Sequence, residues 1–196
     1  MIVRINPFAA LEDIGRRRFI LGSGALLSAS AVALLAGRPA LAAEYGKKKG
    51  ADTQSDIRIL NTALGAELEA IAAYGVGAGS GLLQKPALDL ALQFQGQHKE
   101  HADVLAKTVR KLGGTPVEAK ARYEFPTEQL KTQVDVLGFA AGLEKGAVSA
   151  YLGAVPLFRE RELARAAASI LGDEAMHWAV LRQALGENPV PAAFVS

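Results

Sequence analysis

All three histidines of this 196-residue chain fall in two short motifs, His98-Lys-Glu-His101 and Glu174-Ala-Met-His177. An acid and an imidazole three positions apart on a helix lie on one face, one turn apart. A Glu-x-x-His that projects into a helical bundle can hold a metal ion. A pair of ions is completed by a Glu from each of two further helices and a second Glu-x-x-His. Glu67 and Glu144 are placed to be those two acids. The candidate metal ligands are therefore Glu67, His98, His101, Glu144, Glu174 and His177. A lone Glu-x-x-His arises by chance in many helices, where it is an ordinary salt-bridged or solvated face. Here the histidines are concentrated rather than scattered.

The set departs from the four-carboxylate pattern at His98, which stands where a Glu belongs. Glu100 does not simply substitute, because it lies about 100° around the helix from His101. Three carboxylates and three imidazoles balance less charge than four carboxylates and form a nitrogen-richer donor set. A modified two-metal site, a single-metal site and a relic all remain open. Without metal, three buried carboxylates must share protons or pair with imidazolium, which describes a metal-free Glu–His hydrogen-bond network. Tyr74 and Tyr151 lie two turns from Glu67 and Glu144 on the same stripe. They either hydrogen-bond the carboxylates or pack in the core.

The candidates repeat. Glu67 is followed by Tyr74 and Glu144 by Tyr151, an offset of 77 residues, and His101 and His177 are offset by 76. Ala-Asp-Val-Leu follows the first of those histidines and Trp-Ala-Val-Leu the second. Shared apolar periodicity is common to helical hairpins, but shared Glu, Tyr and His at a nearly fixed offset points to duplication. A pseudo-twofold axis then brings the polar residues to one level.

The elements that must position them are helices. Alanine and leucine are abundant, and β-branched runs are few. The periodicity predicts a first helix over 53–77, ended by the glycines at 75–81, and a second over 86–112 with Pro86 in its first turn. A third is expected over 127–154 with Thr127 as N-cap and no full capping box, since Leu130 holds the position that would need Glu or Gln. A fourth is expected over 159–185, closed by Gly186. The connections within each pair are short, while residues 114–126 can run the length of the bundle. Two antiparallel hairpins joined by a long crossover make the ferritin-like arrangement of an all-α four-helix bundle.

The first 42 residues read as an address. Arg16-Arg17-Arg18-Phe19-Ile20 opens a weakly apolar run over 19–36, followed by Arg38 and the small-x-small end Ala40-Leu41-Ala42. That order is a secretory signal, and the arginine pair resembles the twin-arginine export signal. Cleavage is expected after Ala42, leaving no stable membrane span. An uncleaved anchor is the alternative. Residues 43–55 read as a flexible linker, 56–187 as the folded domain and 188–196 as a tail. Residues 1–42 carry five Arg and two acids, against 17 Lys+Arg and 18 Asp+Glu in the remainder. The basic balance thus comes from the leader and gives no reason to expect nucleic acid as a partner. There is no cysteine, which excludes disulfides and thiolate chemistry.

The stretches 59–67 with Tyr74, 101–105 and 173–177 resemble the ferritin-like domain family that includes twin-arginine-exported bacterial proteins and plant desiccation-related proteins. The resemblance spans about 56–187. It implies iron or manganese, one or two ions, reacting with oxygen or peroxide. It also implies export of a protein already folded and loaded in the cytoplasm, with the twin-arginine machinery as partner and the periplasm as destination. At His98 the chain departs from a standard ferroxidase or catalase centre. The expected function is an exported metalloprotein that handles metal or peroxide under stress, with no catalytic residue assigned beyond the ligands. The alternatives are a non-catalytic envelope protein and a binding module that uses the glycine-rich segment. The Ala, Gly and Ser residues over 138–150 leave close packing within the bundle and a homo-oligomer both open.

Overall fold

The computed structural model describes residues 39–195. The arginine pair and the apolar run of the leader lie outside the described residues. The chain divides into two units, Met1–Gly50 and Ala51–Ser196, and the bundle is the second. Among the described residues there are four α-helices and no strand: α1 Pro39–Gly79, α2 Lys85–Lys111, α3 Gln133–Ala154 and α4 Arg161–Ala184. None is long and apolar enough to cross a membrane.

Two helix starts differ from the sequence reading. Residues 43–55 are helical rather than a flexible linker, since α1 begins at Pro39. Only Gly46 and Gly50 weaken that stretch, and isolated glycines lower helix propensity without ending a helix. The third helix starts at Gln133, not near Thr127. Pro126 leads only a single 3-10 turn, Thr127–Gln129. The cap is Thr132, whose hydroxyl accepts from Asp135 N at 3.2 Å, while Asp135 Oδ2 accepts from Thr132 N at 2.8 Å. This is a full capping box with Asp in place of the usual Glu or Gln.

α2 and α4 end alike. Gly113 and Gly186 take φ of 83° and 76°. In each case the next residue's N–H closes a 2.9 Å bond back to the last turn, on Val109 O and Arg182 O. A Cβ at Gly114 would lie 2.8 Å from Ile57 Cγ2, so the crossover leaves α2 in close contact with α1. Asn61 of α1 then holds the crossover, donating to Thr115 O at 3.0 Å and accepting from Val117 N at 2.9 Å. α4 has no side-chain cap of its own. Asp56 of α1, fully buried, accepts from the N–H groups of Arg159 and Glu160 at 2.9 and 3.1 Å, just ahead of the helix.

Two apolar clusters fill the bundle. One joins Ile57, Leu60 and Leu64 to Leu105, Val109, Tyr151 and Ile170. The other joins Tyr74 to Ala91, Phe94, Leu137, Ala140 and Leu181. Along every helix the candidate ligands fall between the stretches that enter these clusters. The order of the clusters along the chain also fixes direction. α1 and α4 run one way, α2 and α3 the other, and the long connection joins two helices that run in the same direction.

Candidate metal centre

The apolar layers on either side remove a belt of polar groups from water. Each helix contributes to it: Glu67 from α1, His98 and His101 from α2, Glu144 from α3, Glu174 and His177 from α4. Five of the six side chains are at most 2% exposed. The sixth, His101, is 15% exposed. All six sequence candidates meet at one level, as the duplication requires.

They form two overlapping groups, Glu67–His98–His101–Glu174 and His98–Glu144–Glu174–His177, whose donor atoms all lie within 4.8 Å of one another in each group. Glu174 faces both. Its Oε1 is 3.2 Å from His101 Nδ1 and 3.6 Å from His98 Nδ1, while its Oε2 is 3.5 Å from His177 Nδ1. His98 also faces both, with Nδ1 2.8 Å from Glu67 Oε2 and Nε2 3.3 Å from Glu144 Oε1. Glu100 is exposed and belongs to neither group.

The tyrosines do bond the carboxylates, but crosswise. Tyr74 donates to Glu144 rather than to Glu67, its sequence neighbour. Tyr151 donates to Glu67 at 2.6 Å. Burial beside those carboxylates pushes both phenols far above their ordinary range, so they stay protonated donors.

Sequence reasoning missed two residues here. Asp173 Oδ2 lies 3.2 Å from His101 Nε2 and 3.3 Å from His177 Nε2, and Gln97 Oε1 lies 2.9 Å from His177 Nε2. A signal existed. Gln97 and Asp173 are offset by 76 residues, as His101 and His177 are. Gln97 accepts from His177 Nε2–H, and Asp173 lies at ion-pair distance from the outer nitrogens of both histidines, which leaves each Nδ1 turned inward.

Charge follows from these contacts. Burial opposes protonation of every histidine, but the carboxylates outweigh it. Glu144 and Glu67 raise His98 to about 10, and Glu174 and Glu67 raise His101 to about 9. Glu144 and Glu174 raise His177 to about 9. Burial also opposes ionisation of Glu67 and Glu144, yet His101, His98 and Tyr151 hold the first, and His177, His98 and Glu174 the second, below the ordinary carboxyl range. At Glu174 burial wins, and its pKa is raised.

Four buried atoms in the belt make no hydrogen bond: His101 Nδ1, His177 Nδ1 and both oxygens of Glu174. They sit at ion-pair distances from one another without the alignment a hydrogen bond needs. Each such group costs about 1–3 kcal/mol. All four are donor atoms of the types that bind iron, manganese or zinc. The residues present therefore fit a metal ion.

Two cavities reach the belt. One, of about 720 Å³ between α1 and α3, is lined by small apolar residues and by Glu67, His98, Glu144 and Tyr151. The other, also about 720 Å³, lies between α2 and α4 and is polar, with Glu100, His101, Glu162, Arg165 and Asp173 on its walls.

Comparison with known proteins agrees with this fold. The model of the ferritin-like domain matches residues 55–187. A conserved hypothetical protein from Mycobacterium tuberculosis has a solved structure that is similar at a TM-score of 0.63 and 24% identity, over 73% of this chain and 99% of that one. A ferritin-like, diiron-carboxylate protein from Bacillus anthracis is similar at a TM-score of 0.59 and 23% identity, over 68% of this chain and 97% of that one. No curated protein matches the sequence. Four helices, a belt of Glu and His at mid-height and the matched family model together place the chain in the ferritin-like domain family.

Proposed function

We propose that this protein holds iron or manganese in the Glu–His belt and uses it outside the cytoplasm to handle the metal itself or peroxide under stress. The observation that carries the metal is the set of four buried donor atoms without hydrogen-bond partners. Iron or manganese bound there supplies one-electron and oxygen chemistry. The chain supplies the rest. Tyr74 and Tyr151 hold Glu144 and Glu67 in place, Gln97 and Asp173 hold the imidazoles, and the two cavities give small reactants a way in. Export by the twin-arginine machinery rests on Arg16-Arg17 and the weakly apolar run behind them.

A second reading has its own support. His98 reaches a carboxylate with each ring nitrogen, and that is how a metal-free network of a non-catalytic envelope protein would neutralise itself. Metal content decides between them. Untagged protein recovered from the cell envelope is measured by mass spectrometry beside a Glu144→Ala/Glu174→Ala control. One to two equivalents of iron or manganese, lost in the control, are expected, with turnover of peroxide or Fe(II) to follow. Metal-free, well-folded protein from metal-replete cells would establish the second reading.

A further inference from the structure

The two halves of the belt are related by duplication, yet they are not equal, and His98 is the reason. A carboxylate in its place could offer one oxygen to each half, as Glu174 does. A neutral imidazole has one lone pair and one N–H. At His98 the short contact is Nδ1 to Glu67 Oε2, 2.8 Å, and the longer one is Nε2 to Glu144 Oε1, 3.3 Å. The proton belongs on the short side. Nδ1–H donates to Glu67, and the Nε2 lone pair faces Glu144. Glu67 is then engaged at both oxygens, since its Oε1 already accepts from Tyr151 at 2.6 Å.

Donor spacing separates the halves in the same direction. In the Glu144 half the spacings are 3.3 Å from Glu144 to His98, 3.4 Å from Glu144 to His177 and 3.5 Å from Glu174 to His177. In the Glu67 half they run from 2.8 to 3.6 Å, and the shortest is the hydrogen bond just described. Burial agrees, because the Glu144 half is wholly enclosed while the Glu67 half includes the partly exposed His101.

We propose that His98 Nε2, Glu144, Glu174 and His177 hold one divalent ion tightly, and that the Nδ1–H of His98 keeps a second ion in the Glu67 half weakly bound. The proposal rests on the metal reading above. In a metal-free belt with both imidazoles doubly protonated, the ion displaces the Nε2 proton of His98 and the Nδ1 proton of His177 to solvent and leaves the Nδ1 proton of His98 on its bond to Glu67.

The test is an anaerobic titration of metal-stripped protein with Fe(II), and separately with Mn(II), in competition with a chromophoric chelator. Wild type is run beside His98→Glu, Glu67→Gln and Glu144→Gln. One tight equivalent is expected for wild type and two for His98→Glu. Affinity for the tight ion should fall by about 100-fold in Glu144→Gln and by less than about tenfold in Glu67→Gln. Circular dichroism reports whether each variant folds, and the Glu67 and Glu144 pair decides the matter if His98→Glu does not. Two equal equivalents in wild type, a single equivalent in folded His98→Glu, or equal losses in the two Gln variants would overturn the inequality while leaving metal binding intact. No bound metal in wild type would overturn both.

Discussion

Asp173 and Gln97 stand outside the belt, each against the outer nitrogen of a histidine on the opposite helix, and Asp173 reaches both His101 and His177. With the outer nitrogen of each histidine facing these oxygens, each Nδ1 faces inward toward Glu174. Removing such an outer partner typically costs 10–100-fold in metal affinity. Asp173→Ala is therefore expected to lower affinity by about that factor with helix content unchanged, measured by chelator competition and circular dichroism. The six candidate residues were legible because duplication repeats Glu, His and Tyr, residue types that already suggest chemistry. Asp173 was not, because an acid beside a stronger motif is easily passed over and its counterpart is a Gln. The crosswise tyrosine bonds were also hidden. Sequence spacing shows which residues share a helix face, whereas these bonds run from one hairpin to the other.

At the scale of elements, helix ends carry the specificity. Asp56 is fully buried and accepts two backbone N–H groups at the start of α4, whereas Thr132 caps α3 at the surface. Hydrogen bonds to a charged group are worth about 1.5–3 kcal/mol each, and an exposed N-cap about 1 kcal/mol. Asp56→Ala should then destabilise the protein by about 2–4 kcal/mol and Thr132→Ala by about 1 kcal/mol, in denaturant melts compared at equal slope. The four helices were legible from periodicity, proline and glycine. Their starts were less so. Asp135 completes a capping box that a search for Glu or Gln passes over, and Asp56 caps a helix about 100 residues away, which no local pattern shows.

At the scale of the whole molecule, the belt is a concentration of opposite charges inside two apolar layers, and stability responds to pH through it. The histidines rise from 6.5 to about 9–10 on folding, so in metal-stripped protein their contribution is complete below pH 6.5 and lost as pH climbs through 9–10. Glu67 and Glu144 fall below 4.5, so their contribution is present above pH 4.5 and lost in acid. Glu174 moves the other way and blunts the acid side. The stripped protein should be most stable between about pH 4.5 and 6.5. Thermal melts across pH 3–10 check this, and a melting temperature that climbs steadily from pH 6.5 to pH 10 would contradict it. The overall arrangement was legible from one long connection between two matched hairpins. The inequality between the hairpins was visible in the sequence as His98, but its meaning depends on which carboxylate lies nearer each ring nitrogen.

Glu174 belongs to both ion groups, and it lies on the last helix. A growing polypeptide that has not yet released α4 therefore has neither group, whatever else has folded. Asp56, near the start of the bundle, likewise waits for the residues ahead of α4 before its buried charge is satisfied. The last helix thus brings the belt the carboxylate that both groups share. On the proposed metal reading, capture of an ion is tied to completion of the fold rather than to its early stages.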